Sequence, residues 1–304
     1  MIILKGVVVP IVTPLKKESQ DKIDEVAVEK LCNFLISKGV HGLFPCGTTG
    51  EGPLLLKKAR KELASLVVEK VKGRVPVVIQ TGCIDTKSTI ELTKHARDIG
   101  ADGAAVISPY YYRYNFGSLK DHFVTVARSA PEFPLYLYNI PDNANNDITP
   151  ELLKSVINEA DNVVGIKYSH FDLRRIPEYL SYLGKNRVFL MGVDELLYSS
   201  YILGASGCVA GNANVFPEPF VRLYHAFLNR DHIEVKKQQD LIMKIANTLK
   251  NGAHMCYFKT ALQFRGIEVG AVVSPQKRSN EKETMSLCQE LKSLGLPLEN
   301  PICL

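Results

Sequence analysis

The chain has 304 residues, 46% of them hydrophobic, with a formal net charge of +5 and seven cysteines. That length admits one large domain or two and a sizeable core. A mild positive balance with no dense basic run argues against a nucleic-acid or polybasic membrane surface and leaves a small anionic substrate open. Cys32, Cys46, Cys83, Cys208, Cys256, Cys288 and Cys303 form no CxxC pair and no Cys/His zinc pattern. Such a set is expected of reduced thiols in a cytoplasmic protein, with no metal site.

The opening stretch MIILKGVVVPIVTPL is apolar, but Lys5, Pro10 and Pro14 interrupt it and no small-residue cleavage site follows. It reads as a buried strand and not a signal peptide, and no apolar run approaches the roughly 18 residues of a membrane span. In chain order, eight short β-branched or apolar runs follow one another: 6–14, 42–47, 75–82, 102–108, 134–139, 163–169, 187–192 and 207–211. Helical patterns lie between them, as at Val26–Ile36, Lys57–Val71, Ser88–Ile99, Leu152–Ile157 and Leu196–Leu203. Alternation of this kind predicts βα units on a parallel sheet with right-handed crossovers. Eight units in series, with no glycine-rich dinucleotide fingerprint after the first strand, predict an α/β fold of the eight-stranded TIM (β/α) type. After about residue 217 the pattern is helical only, at Glu218–Asn229, Ile233–Leu249, His254–Phe264 and Asn280–Leu294. The expected division is a barrel over residues 1–230 and a C-terminal helical extension over 231–304.

In such a barrel the active site lies at the C-terminal ends of the strands, so polar residues in or just after a strand are the candidates. The sixth run, VVGIKYS, contains Lys167 among apolar neighbours. Two uses are open to it: a lysine snorkelling at the strand end or paired with a carboxylate, or a desolvated amine that forms a Schiff base with a ketone. The fifth run ends in YLYNIP and puts Tyr136 and Tyr138 on one face, where a tyrosine serves as a core aromatic or relays a proton. After the second run comes Gly47-Thr48-Thr49-Gly50-Glu51-Gly52, a tight loop able to cradle a small anion and equally an ordinary turn. After the fourth comes Pro109-Tyr110-Tyr111-Tyr112-Arg113-Tyr114, an aromatic loop suited to a subunit contact, to the site, or to both. Cys46 reads as a small buried hydrophobe, and His170, like the other histidines, as structural or surface.

GTTGE, PYY, YNIP and GIK, in that order and spacing, resemble the pyruvate-dependent Schiff-base lyases related to dihydrodipicolinate synthase and N-acetylneuraminate lyase. The likeness spans about residues 4–295. The resemblance implies that Lys167 forms the imine with the keto carbon of pyruvate and that Tyr138 shuttles protons. It implies that Thr48 and Thr49 bind the pyruvate carboxylate, with Thr49 in a relay to the tyrosine, and that Tyr111 is exchanged between subunits to complete the relay. No metal or organic cofactor is implied, and the expected assembly is a homotetramer, a dimer of dimers.

Departures from each relative's pattern bear on the substrate. Dihydrodipicolinate synthases carry an arginine two residues after the proline of YNxP, where Asn143 stands here. Sialic acid lyases carry a serine in the eighth-strand segment, where Gly211 stands. Gly192, Asp194 and Glu195 follow the seventh strand, where sugar-acid lyases of the family bind substrate hydroxyls, although two acids also suit a first helical turn. Ser169, two beyond Lys167, adds a hydroxyl, and Arg113 is a candidate for a phosphate. LFPCGTTG, PYYYRYN and YNIPDNANNDITPE look most like archaeal-type 2-keto-3-deoxygluconate aldolases. The expected activity is therefore reversible cleavage of a 2-keto-3-deoxy sugar acid to pyruvate and an aldehyde. The alternatives are dihydrodipicolinate synthase, N-acetylneuraminate lyase and, outside enzymes, a non-catalytic keto-acid sensor.

Overall fold

The computed structural model describes residues 4–252 and 254–299. Eight parallel strands, β1 (Gly6–Val9), β2 (Gly42–Leu43), β3 (Val78–Gln80), β4 (Gly103–Ile107), β5 (Leu135–Asn139), β6 (Val163–Tyr168), β7 (Val188–Met191) and β8 (Gly207–Val209), follow the eight runs. They are hydrogen-bonded in the order β2-β1-β8-β7-β6-β5-β4-β3. A parallel bridge between Leu43 and Val77 brings the ends of that series together, so the sheet closes into a TIM barrel. The strands are shorter than the apolar runs. β1 stops at Val9 because Pro10 has no N–H for the ladder, although residues 10–15 stay buried.

Every strand is buried on both faces, which is why each reads as a continuous apolar run. Val8, Phe44, Ala105, Tyr136, Tyr138, Val164, Leu190 and Val209 form the cluster inside the barrel. Val7, Val9, Val106, Leu137, Ile166 and Phe189 belong to a second cluster shared with the surrounding helices.

The helices are α1 (Glu25–Ser37), α2 (Lys57–Val71), α3 (Thr86–Asp98), α4 (Phe116–Arg128), α5 (Pro141–Ala144), α6 (Pro150–Ile157), α7 (Arg175–Leu183), α8 (Leu197–Ile202), α9 (Pro217–Leu228), α10 (His232–Thr248), α11 (Met255–Phe264) and α12 (Glu281–Ser293). The side chains of Asp24, Asp85, Asn115 and Thr149 accept from backbone N–H groups in the first turns of α1, α3, α4 and α6. The patterns named above do not include α4 and α7, yet both carry core stripes at helical spacing. Leu119, Phe123, Val126 and Ala127 are buried on α4, and Ile176, Tyr179 and Leu183 on α7. Pro177 obscures α7 in the sequence and is tolerated because it lies in the first turn.

After β8 the chain is helical, as expected. The cluster outside the barrel continues into Ile242 and Ile245 of α10, Phe258 and Leu262 of α11 and Leu287 and Leu291 of α12. Arg265, just beyond α11, is almost fully buried, pairs with Glu218 of α9 at 2.7 Å and donates to the Val215 carbonyl at 2.8 Å. Two ends of the C-terminal half are thereby tied together. No described helix is long and apolar enough to cross a membrane.

The cysteines need one correction. Cys32, Cys46, Cys83, Cys208 and Cys256 are free, and burial pushes the Cys46 thiol up to about 11, which suits an inert hydrophobe. Cys288, expected as a thiol, is disulfide-bonded. Cys303 lies outside the described residues. Odd number and scattered spacing in sequence do not reveal which sulfurs the fold brings within bonding distance.

Candidate active site

The site is assembled from the C-terminal ends of the strands. Register pairs Tyr138 of β5 with Lys167 of β6, and Lys167 in turn with Leu190 of β7. Side chains alternate along a strand, and Ile166 lies in the outer cluster, so the adjacent Lys167 faces inward with Tyr138 and Leu190 of the inner cluster. Lys167 is 4% exposed. Its Nζ sits 3.9 Å from the Tyr138 ring centroid and 4.9 Å from that of Phe44, and among the described residues it makes no ion pair. The sequence left open a lysine paired with a carboxylate; the observed wall is aromatic.

The GTTGEG loop follows β2. The Glu51 N–H donates to the Thr48 carbonyl and that of Gly52 to the Gly47 carbonyl, each at 3.0 Å, which closes the turn. Gly52 is required there, since a Cβ would lie 1.9 Å from the Cys46 carbonyl oxygen. The turn presents Thr48 and Thr49 to a cavity of about 480 Å³ that also contains Tyr138, Lys167 and Ser169. Thr48 Oγ1 is 3.1 Å from the Tyr138 hydroxyl. This corrects the order implied by the resemblance, in which Thr49 meets the tyrosine. Thr49 instead turns toward Gly211, where an added Cβ would stand 3.4 Å from its Oγ1.

Gly192, after β7, makes room for the reactive end of the lysine. A Cβ there would fall 2.0 Å from Ser169 Oγ and 3.1 Å from Lys167 Cε. Asp194 and Glu195 also face the cavity. Asp194 is buried, and its Oδ2 accepts from the Asn212 backbone N–H at 3.1 Å and from Asn212 Nδ2 at 2.7 Å. Burial nevertheless pushes its carboxyl up to about 6. The folded state thus holds this proton more tightly than the unfolded chain, whose aspartates titrate near 3.9. The stabilisation is full below about pH 4 and is lost as pH rises through 6, a loss of up to about 3 kcal/mol. Asp194→Asn removes that loss, so its melting temperature should exceed that of the wild type at pH 7 and match it below pH 4. Scanning calorimetry across that range checks this, and equal pH profiles for the two proteins would refute it.

Tyr111 stands apart from the other candidates. It is 78% exposed, with a left-handed backbone φ of 86°, and does not line the cavity within this chain. Asn146 holds its loop by donating to the carbonyls of Pro109 and Tyr112 at 2.7 and 2.6 Å. Arg113 donates to Asn145 Oδ1 at 2.9 Å on the outside, away from the cavity lining. Tyr136 is structural: its hydroxyl accepts from the Leu4 N–H at 2.9 Å. His170 Nδ1 lies 3.2 Å from the Tyr168 hydroxyl, consistent with a structural role.

Sequence reasoning missed the C-terminal contribution. Asn251, Gly252, Met255 and Phe258 line the same cavity, and Phe44 of the GLFPCG run packs behind it against Lys167 and Tyr138. It also missed Glu51, read only as part of a turn. An acid between glycines carries no local sign of burial, yet this one is 2% exposed and pairs with Lys259.

An eight-stranded parallel barrel with a buried strand lysine facing a tyrosine and a threonine turn at its C-terminal mouth defines a lysine-centred barrel site. The chain belongs to the dihydrodipicolinate synthetase family, whose model matches residues 3–294. It is 33% identical over 293 residues to an uncharacterized DapA-like lyase of Halobacterium salinarum, covering 96% of this chain and 95% of that one. It is 33% identical over 267 residues to the 4-hydroxy-tetrahydrodipicolinate synthase of Thermus thermophilus, covering 86% and 87%. Among solved structures, dihydrodipicolinate synthase from Aquifex aeolicus superposes with a TM-score of 0.92 at 30% identity, over 98% of this chain and all of that one. YagE from E. coli K12, a prophage protein of the same family solved in complex with pyruvate, gives 0.92 at 29% identity over 97% and 100%. The chain is thus a lyase of this family.

Proposed function

We propose that this protein is a class I aldolase that reversibly cleaves a 2-keto-3-deoxy sugar acid, of the 2-keto-3-deoxygluconate type, to pyruvate and an aldehyde. The observation that carries the chemistry is the buried Lys167 amine, without an ion pair among the described residues, beside the Tyr138 ring. Lys167 Nζ adds to the keto carbon, and loss of water gives a protonated imine. Removal of the C4 hydroxyl proton then breaks the C3–C4 bond. The electron pair moves into the imine to form an enamine, and the aldehyde leaves. Protonation at C3 and hydrolysis of the imine release pyruvate and restore the lysine. Tyr138, linked to Thr48, is the proton carrier, and the Thr48–Thr49 turn receives the keto-acid carboxylate. No metal or organic cofactor enters this sequence.

The polar lining beyond the lysine supports a polyhydroxylated substrate. Asp142, Asn143, Asp194, Glu195 and Asn212 border the cavity together with Ser169, and Lys167 is the one cation among its described lining residues. Carboxylates and amides suit hydroxyl groups, and no guanidinium offers the bidentate grip a second carboxylate calls for. The exposed Tyr111 and Tyr112 suit a contact between subunits that brings Tyr111 to a neighbouring site, within a tetramer built as a dimer of dimers.

The names of the synthase relatives favour a second reading, condensation of pyruvate with aspartate semialdehyde. Assaying pyruvate release from 2-keto-3-deoxygluconate and N-acetylneuraminate beside condensation with aspartate semialdehyde separates the readings. The sugar acid should have the highest kcat/KM. Asn143→Arg should lower KM for aspartate semialdehyde about tenfold. A wild-type preference for aspartate semialdehyde would sink the sugar-acid assignment.

A further inference from the structure

Glu51 closes the threonine turn, but its side chain leaves the cavity and enters the C-terminal half. Its Oε2 lies 2.7 Å from Lys259 Nζ on α11. Its Oε1 accepts from the Val273 N–H at 2.7 Å and from Gln276 Nε2 at 3.3 Å. Lys259 is 2% exposed, and its ammonium also donates to the carbonyls of Thr13, at 2.8 Å, and Ala271. Thr13 Oγ1 in turn donates to the Gly50 carbonyl, inside the turn itself. The pair therefore meets the turn twice, through the Glu51 side chain and through Thr13. On the same helix, Met255 and Phe258 line the cavity, and Phe258 lies beside Gly211.

A carboxylate and an ammonium withdrawn from water need close mutual contact and satisfied remaining groups, which makes such a pair directional and intolerant of displacement. Glu51 itself has a left-handed φ of 57°, so its backbone is held where a non-glycine residue is rarely found. The anchor of a turn in that conformation sets where the neighbouring Thr48 and Thr49 hydroxyls stand.

We propose that the Glu51–Lys259 pair is a positioning device for Thr48 and Thr49, which makes affinity for the keto-acid carboxylate depend on α11 and the segment after it. The proposal rests on the keto-acid reading above. Neither residue touches the substrate; both act through the turn.

The test titrates pyruvate against wild type, Glu51→Gln and Gln276→Met. Each sample is reduced with borohydride, the Lys167 adduct is quantified by intact-protein mass, and melting temperatures are recorded in parallel. Glu51→Gln keeps an acceptor for the Val273 N–H but removes the charge. It should raise half-saturating pyruvate about tenfold while reaching the same maximal adduct, a loss of affinity that a stability defect alone does not produce. Gln276→Met leaves the ion pair intact and removes both the donor to Glu51 and the acceptor of the Met255 N–H at the start of α11, so a shift of about threefold is expected, and this variant decides the matter if Glu51→Gln does not fold. Half-saturation at the wild-type concentration in the folded variants, with only melting temperature changed, overturns the proposal. Absence of any adduct in the wild type removes the keto-acid reading and this proposal with it.

Discussion

Lys167→Ala should lower turnover of the keto acid by at least about 10⁴-fold and abolish the borohydride-trapped pyruvate adduct. The whole rate advantage of the proposed route comes from the protonated imine, which accepts the electron pair of the breaking C–C bond, and no other described amine lines the cavity. Because Lys167 makes no ion pair among the described residues, and the buried Asp194 carboxylate that feels its charge keeps its hydrogen bonds from Asn212, the variant should fold. Intact-protein mass after reduction, beside a thermal melt, reads both halves. An adduct that persists in a folded Lys167→Ala protein would place the reactive amine elsewhere.

Tyr138→Phe should cost about 10² to 10⁴ in kcat with little change in stability. The ring is held by its edge contact with Phe44, with centroids 6.1 Å apart, and phenylalanine keeps that packing. What disappears is the hydroxyl 3.1 Å from Thr48 Oγ1, and with it the proposed route for protons to and from the reacting carbons. Tyr136→Phe is the matched control. Both tyrosines are buried on β5, but Tyr136 accepts from the Leu4 N–H, so its loss should cost about 1–3 kcal/mol of stability and spare kcat. Steady-state kinetics and denaturant melts on the two variants distinguish the roles. Equal loss of kcat in both would show that β5 packing, and not the Tyr138 hydroxyl, limits the rate.

Much of the site was legible in the chain because strands are read with a period of two and their C-terminal ends are where barrels keep chemistry. Lys167 in an apolar run, Tyr138 two residues after Tyr136, and the threonines between closely spaced glycines all follow from that rule. The exchange of Thr48 for Thr49 as the partner of Tyr138 does not. Adjacent loop residues with the same side chain are indistinguishable until the left-handed conformations at Cys46 and Glu51 set the path of the turn. Asp194 was found by position after β7, but the upward push on its carboxyl comes from burial in the folded barrel, which outweighs the hydrogen bonds from Asn212 that favour the charged form.

Local pattern determined the repeating βα units, the barrel they imply and the lysine on the sixth of them, since burial on both faces of a strand and one face of a helix is written directly into residue order. Only the tertiary structure decided that α11 supplies a wall of the cavity and that Glu51, at the end of the threonine turn, pairs with Lys259. Burying an ion pair requires a specific partner at about 3 Å, and nothing in the sequence around a charged residue says which distant segment will bring it.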